Sequence, residues 1–159
     1  MSISPRLSRY LAECGARYEI CAHPRSSTSA QTARVAHVPE HQIAKSVILE
    51  DDNGCVMAVI PGDSRVRVGE LSRLLGRPFL HLADEPRVAE LFDDCRPGAV
   101  PALGMLWGVE TVVDEELDEN AEVYVEGGDH ESLLRMTGDQ FNDLMRRMRH
   151  AHFCRRNDH

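Results

Sequence analysis

The chain contains a single lysine, Lys45, beside seventeen arginines. A sequence with this bias uses arginine wherever the two residues are interchangeable, so a retained lysine marks a position where they differ. Lysine supplies a compact, titratable ammonium, whereas the guanidinium of arginine is planar, broad and always charged. Lys45 is therefore the first candidate for a catalytic or binding group, and a leftover surface lysine is the alternative.

The segment from Gly98 to Gly104 carries two glycines six residues apart, with Pro101 between them. Glycine accepts positive φ and lets the backbone approach a ligand closely, so such a loop can present N–H groups to a bound atom. The segment lacks the end of a Walker phosphate-binding loop and is not a Gly-x-Gly-x-x-Gly motif. An ordinary surface turn remains the alternative.

Further polar residues are candidates for the walls of a pocket. His23 and His130 lie in predicted turns, where a solvated loop histidine remains the alternative, and Asp114 ends a predicted strand. Ser46 follows Lys45, but neighbouring strand residues face opposite sides, so Lys45 is poorly placed to activate this hydroxyl. The sequence also lacks the Gly-x-Ser-x-Gly elbow of many serine hydrolases.

A metal centre is not predicted. The five cysteines form no Cys-x-x-Cys pair, and we interpret them as reduced, mostly buried thiols. His150, His152 and Cys154 are one candidate cluster, but no second ligand group with zinc-like spacing accompanies them. The favoured interpretation of this segment is a frayed, polar helix end.

The charge distribution limits the partners. The net charge of −8 excludes a broad nucleic-acid surface, so we expect no DNA partner. Residues 146–159 hold five arginines and one acid, which predicts a basic extension after a domain of residues 1–145 that could contact RNA locally. No apolar run approaches the ~18–20 residues of a membrane span, and the N-terminus lacks a signal-peptide core, so we expect a cytoplasmic protein without membrane contact.

Apolar runs and turn signals predict interleaved strands and helices. Residues 47–49 and 56–60 are apolar without alternation, and Asn53-Gly54 between them is typical of a hairpin. Continuous apolarity indicates strands covered on both faces, which places this hairpin at the centre of a sheet and Lys45 at a strand entrance. Helical patterns follow near residues 5–14, 29–36, 69–75, 85–93 and 138–148. We predict an α/β fold: one compact domain with a twisted mixed sheet flanked by helices.

These motifs together resemble the YbaK/ProX family of aminoacyl-tRNA deacylases. The similarity covers about residues 5–145 and is carried, in the family's order, by residues 18–24, 43–48, 57–63, 98–104, 112–115 and 128–131. The combination is far more specific than any one motif. The family's domain is a mixed α/β fold that also occurs as an editing insertion in bacterial prolyl-tRNA synthetases.

The resemblance implies hydrolysis, in trans, of the ester that joins a wrong amino acid to the 3′ end of a tRNA, without a cofactor. Lys45 falls on the family's critical lysine, and Gly98 and Gly104 fall on its loop glycines, although Ala102 stands where proline is usual. We assign substrate binding to these glycines and to His23, Ser46, Ala99, Val100, Asp114 and His130. An aminoacyl-tRNA synthetase is a further candidate partner.

Two other functions remain open at this point. The first is a non-catalytic module of the same fold that binds an aminoacyl or nucleotide ligand or a partner protein, which the net charge of −8 favours. The second is a hydrolase of other small acyl esters. The retained Lys45 and both loop glycines favour the deacylase.

Overall fold

The computed structural model of the protein describes residues 3–158, along which strands and helices interleave. The helices are α1 (Pro5–Glu13), α2 (Ser29–Ala36), α3 (Val68–Leu75), α4 (Glu85–Leu91) and α5 (Gly138–Leu144). The strands are β1 (Glu19–Ala22), β2 (Ile43–Asp51), β3 (Gly54–Pro61), β4 (Ser64–Val66), β5 (His81–Leu82), β6 (Glu110–Asp114), β7 (Glu122–Glu126), β8 (Ser132–Thr137), β9 (Arg149–Ala151) and β10 (Cys154–Arg156). Short 3-10 helices cover Glu40–Gln42, Gly104–Trp107 and Glu115–Glu119.

The main sheet is mixed, as predicted. Its strands follow the order β1-β8-β7-β2-β3-β6-β9, with β5 paired to the far end of β2. The pairs β2–β7, β3–β6 and β6–β9 are parallel, and the remaining pairs are antiparallel. Strands β4 and β10 form a separate two-stranded antiparallel sheet.

The β2–β3 hairpin lies in the middle of the main sheet and is buried on both faces. Met57 and Val59 pack into the cluster that contains Leu7 of α1 and Phe141 of α5. On the opposite face, Ala58 packs into the cluster that contains Leu71 of α3. The prediction of a central hairpin from its uninterrupted apolar runs is therefore confirmed.

Three of the helices begin at a serine or threonine whose side chain caps the first turn. The side chains of Ser4, Thr28 and Thr137 each accept a hydrogen bond from an amide in the first turn of α1, α2 and α5 respectively. Such caps satisfy amides that have no partner inside the helix. Helix α5 ends at Leu144, before the predicted limit at Met148. No helix within residues 3–158 is long and apolar enough to cross a membrane.

The C-terminal segment differs from the expected frayed helix end. Residues 149–151 add β9 to the edge of the main sheet beside β6, and β10 pairs with β4. Between these strands, Phe153 is fully buried in the same cluster as Leu71. The helix interpretation was wrong because β6 and β4 offer free strand edges and Phe153 brings an apolar side chain to bury.

Candidate functional site

A cavity of about 350 Å³ opens at the start of β2. Its walls come from six separate parts of the chain: the N-terminus of α2 with the residues before it, the 3-10 helix of residues 40–42, the β2 strand, the turn after β3, the 98–104 loop and the C-terminal segment. The lining residues are Ser27, Thr28, Ser29, Ala30, Glu40, Lys45, Ser46, Gly62, Gly98 and Asn157. Three of the residues predicted from sequence, Lys45, Ser46 and Gly98, thus meet in one cavity.

The cavity lies where one edge of β2 is left open. Strand β7 pairs with β2 only at Ile43 and Ala44, and β5 pairs with it only at Leu49 and Glu50. Among the described residues, no strand pairs with this edge between Ala44 and Leu49. A ligand can therefore approach the strand from its side and reach residues that point to either face of the sheet.

This open edge explains why Lys45 and Ser46 share the cavity. The alternation expected along the strand is present, since Ala44 and Ile48 pack into one core cluster and Leu49 packs into the other. Lys45 and Ser46 nevertheless both line the cavity, because it wraps around the strand edge. Lys45 and Ser46 therefore face opposite sides of the strand, as predicted, and still border the same cavity.

Lys45 is held by a backbone carbonyl. Its Nζ donates a hydrogen bond of 2.6 Å to the carbonyl oxygen of Ser64. Burial lowers the pKa of Lys45, and the nearby carboxylates of Glu40 and Asp63 oppose this shift without cancelling it. An ammonium has three N–H donors, so two remain for a ligand after the bond to Ser64. The site thus presents a compact, partly desolvated cation.

Ser46 joins β2 to the glycine-containing loop. Its Oγ donates a hydrogen bond of 2.7 Å to the carbonyl oxygen of Val100. Ala99 and Val100 are buried beneath the loop surface, and the amide of Ala99 already donates to the carbonyl of Arg96. Of residues 98–104, Gly98 alone belongs to the cavity wall. The assignment of substrate contacts to Ala99 and Val100 stays a prediction, and their present contacts are with the protein.

Gly98 lies where an added side chain would contact its neighbours too closely. Its φ is +87°, and an added Cβ would lie 3.1 Å from Cε1 of His130 and 3.3 Å from the carbonyl oxygen of Ser27. His130 Nε2 donates a 2.7 Å hydrogen bond to the carbonyl of Pro97, which requires the proton on that nitrogen. His130 therefore fixes the loop immediately before Gly98, although it is not part of the cavity wall.

His23 lies just before the residues that lead into α2 and border the cavity. Its amide donates to the carbonyl of Glu131, and its Nδ1 lies 2.7 Å from the carbonyl oxygen of Pro24. The amide of Ser26 donates in turn to the carbonyl of His130. These bonds tie the approach to α2 to the turn that carries His130. Substrate binding by either histidine stays a prediction, and both hold the polypeptide around the cavity.

Gly104 and Asp114 lie away from the cavity. A Cβ at Gly104 would meet Thr111 Oγ1 at 2.7 Å and Met57 Cβ at 3.1 Å, which places this glycine in the packed core. Asp114 is fully buried, and its carboxylate accepts hydrogen bonds from the amides of Glu116, Phe153 and Cys154. Its position clamps the C-terminal segment to the end of β6.

Burial acts to raise the pKa of Asp114. The hydrogen bonds from the backbone amides of Phe153 and Glu116 act in the opposite direction, and together with the neighbouring side chains they leave this pKa below its usual value. The carboxylate is therefore ionised at neutral pH. Its substrate-binding role stays a prediction.

Asp114 also belongs to a group of potential metal ligands that the sequence spacing did not reveal. The ligand atoms of Asp114, His152 and Cys154 lie within 4.8 Å of one another. Backbone amides already occupy both oxygens of Asp114. Burial, together with a hydrogen bond to Asp114, raises the pKa of Cys154 to about 12. We therefore interpret this group as the clamp of the C-terminal segment.

Several wall residues carried no functional signal in the sequence. The capping pattern at Thr28 predicts a helix start, but it does not reveal that residues 27–30 border a cavity. Glu40 likewise reaches the cavity through the fold, whereas Gly62 belongs to residues 57–63, which carry part of the family resemblance. Asn157 lies in the segment that the sequence suggested was a polar end, and no motif marks it.

The comparisons with known proteins identify the domain. The family model described as an aminoacyl-tRNA editing domain matches residues 23–144, which includes every cavity residue except Asn157. The chain belongs to this family. The resemblance noted from the sequence motifs is thereby confirmed.

Individual relatives agree with this membership. A proline–tRNA ligase of Thermosipho africanus is 33% identical over 69 residues, which are 43% of this chain and 12% of that enzyme. A proposed trans-editing enzyme for prolyl tRNA synthetase has the same fold, with a TM-score of 0.78 and 25% identity over 99% of this chain and 100% of that chain. The hypothetical protein APE2540 superposes with a TM-score of 0.84 and 26% identity, covering 94% of this chain and 99% of that chain.

Proposed function

We propose that this editing domain is a trans-acting deacylase that hydrolyses the ester between a wrong amino acid and the 3′ end of a tRNA. One observation carries the proposal: the only lysine of the chain projects into a cavity built almost entirely from residues of the editing-domain match. Similarity to a proposed trans-editing enzyme supports an action in trans.

The cavity residues suit an ester that ends in an adenosine. The ammonium of Lys45, with two donors free of the protein, binds the terminal phosphate or ribose or polarises the ester carbonyl. Ser29 and Ala30 belong to the first turn of α2, where the helix dipole favours negative charge. The carboxylate of Glu40 on the same wall complements the α-ammonium of the aminoacyl group. These groups place charges of the right sign around the reacting bond.

The reaction needs no protein nucleophile. An aminoacyl ester is activated, so a positioned water and stabilisation of the developing oxyanion suffice. Ser46 donates its hydroxyl proton to the carbonyl of Val100, and no histidine lines the cavity among the described residues. We therefore expect direct hydrolysis, assisted by the ribose hydroxyl of the substrate, without an acyl-enzyme intermediate.

Selection of the amino acid then rests on exclusion by size. The cavity volume of about 350 Å³ must hold the reacting end of the tRNA as well as the amino-acid side chain. Attraction discriminates one methylene by only ~1–3 kcal/mol, whereas a wall rejects a larger side chain outright. We propose that small amino acids attached to a tRNA are hydrolysed, with a prolyl-tRNA synthetase as the associated synthetase.

A deacylation screen over mischarged tRNAs tests the proposal. The wild-type protein should hydrolyse at least one of them well above the spontaneous rate, and Lys45→Ala should lower that rate on the order of 100-fold. Lys45→Arg should be nearly as damaging, because guanidinium is wider and favours bidentate partners. Arg73→Ala, on the exposed surface of α3, is the matched loss of a cation and should keep full activity.

The alternative of a non-catalytic module makes a different prediction in the same screen. The net charge of −8 suits a protein that binds only the end of a tRNA or a partner protein. If no mischarged tRNA is hydrolysed above the spontaneous rate, while an aminoacyl-adenosine analogue binds in a Lys45-dependent manner, the deacylase proposal is rejected in favour of the module.

A further inference from the structure

The segment after the family match folds back to the candidate site. The match ends at residue 144, and the chain then forms β9 on the main sheet and β10 beside β4. The fully buried Phe153 and its carbonyl, which accepts from the amide of Arg67, fix the turn between these strands. Residues 154–157 are thereby brought alongside the turn that holds Lys45.

The turn between β3 and β4 is held in place by residues of the C-terminal segment. The carboxylate of Asp63 lies 2.9 Å from His41 Nδ1 and 3.3 Å from Nε of Arg156. The amide of Asn157 donates a 2.9 Å hydrogen bond to the carbonyl of Asp63. Asp63 immediately precedes Ser64, whose carbonyl anchors Lys45. The C-terminal segment thus sets the position of the backbone that positions the ammonium.

The side chain of Asn157 is then left at the cavity wall. Asn157 lines the cavity together with Lys45 and Gly98, while its own backbone amide is used in the bond to Asp63. A carboxamide offers two N–H donors and one acceptor oxygen, so it can bond to a hydroxyl, an amine or a carbonyl. The neighbouring Asp158 is exposed and is not part of the wall.

We propose that Asn157 is a substrate-binding residue of the editing cavity, whose carboxamide hydrogen-bonds to the polar aminoacyl-adenosine end. This proposal rests on the proposed deacylase function, since it assigns a further contact for that substrate. We assign the contact to a polar group of the substrate that keeps its charge during hydrolysis, such as a ribose hydroxyl, so it contributes equally in the ground state and the transition state. Its loss therefore raises KM and leaves kcat within about two-fold.

Asn157→Ala tests this contact, because it removes the carboxamide and keeps the backbone amide bonded to Asp63. Asp158→Asn is the matched control in the adjacent residue. We expect KM to rise about five-fold in Asn157→Ala, the loss typical of one neutral hydrogen bond, and to stay at the wild-type value in the control. Thermal melting should give the same Tm for both variants and the wild type.

A binding measurement separates failure of this inference from failure of the proposed function. The probes are 3′-aminoacylamino-3′-deoxyadenosines carrying alanine, serine, threonine or valine, in which an amide replaces the ester and hydrolysis does not occur. Weaker binding of the tightest probe by Asn157→Ala, with an unchanged Tm, supports the contact even if the wild type hydrolyses no mischarged tRNA. Equal binding, or a fall in Tm without a change in Kd, overturns it, as does absence of binding by the wild type.

Discussion

Replacement of Gly98 by alanine should damage activity more than stability. The wild-type φ of +87° is a conformation that alanine adopts only with strain of about 1–2 kcal/mol. In a domain of this length such a loss lowers Tm by roughly 2–8 °C. The protein therefore remains folded at 25 °C, and its kinetics can be measured.

The activity loss follows from what the new methyl group touches. It would lie 3.1 Å from the ring of His130 and 3.3 Å from the carbonyl of Ser27, so one of them must shift by a few tenths of an ångström. Ser27 belongs to the cavity wall, and His130 holds Pro97 beside Gly98. Since misplacement by ~1 Å costs on the order of 100-fold in rate, we expect kcat/KM to fall about ten-fold.

Gly104→Ala is the matched control, because the second loop glycine lies in the core. Its methyl group would overlap Thr111 Oγ1 at 2.7 Å, and such overpacking typically costs ~1–3 kcal/mol. Single-turnover deacylation and thermal melts should show a lower Tm for both variants, but lower kcat/KM for Gly98→Ala alone. Wild-type kcat/KM in Gly98→Ala, or an equal kinetic loss in Gly104→Ala, would refute the separate roles of the two glycines.

Four further predictions concern charge and metals. Asp114→Ala should destabilise the protein by on the order of 3–5 kcal/mol, seen as a Tm lower by roughly 10 °C, because three amides lose their acceptor and those of Phe153 and Cys154 are left buried without one. The pKa of Asp114 is lowered in the folded state. Its contribution to protein stability is therefore complete above the unfolded pKa of about 3.9 and disappears as the pH falls through the folded value. A pH series of thermal melts on the wild type and Asp114→Asn checks this. For Lys45, whose pKa burial lowers, kcat/KM corrected for spontaneous hydrolysis should decline as pH rises through a value below 10.5, and Lys45→Arg should lack that step. Deacylation should also continue in EDTA, and loss of turnover that zinc restores would contradict this expectation.

Local signals in the sequence predicted much of the fold. The capping side chains at Ser4, Thr28 and Thr137 act within one helical turn, so neighbouring residues suffice to recognise them. The central hairpin was equally accessible, because its burial on both faces leaves an uninterrupted apolar run. Lys45 was singled out by composition and family motifs together, and the fold places it in the cavity wall; its catalytic role stays a prediction.

The remaining parts of the site depend on contacts between distant residues. The sequence predicts that Asp114 ends a strand. It does not show that residues 153–154 fold back onto this strand end and donate their amides to the Asp114 carboxylate. The open edge of β2 results from where β7 and β5 stop pairing, which no pattern within β2 records. Asn157 reaches the cavity only because Phe153 finds a buried place beside Leu71. Sequence patterns thus predict the local structure of each segment but not which distant residues it contacts.

The geometry of the cavity depends on whether strand β10 is paired with β4 or locally separated from it. The β4–β10 ladder contains three residue pairs, and beyond the buried Cys154 its strand β10 consists of the exposed Arg155 and Arg156, so this end separates from β4 at a lower free energy than the whole domain unfolds. When it opens, the carbonyl anchor of Lys45 loses its brace and Asn157 leaves the wall. The apparent affinity for substrate then falls in proportion to the fraction of open molecules. A ligand in the cavity must in return slow hydrogen exchange at the amides of β10, although it touches none of them.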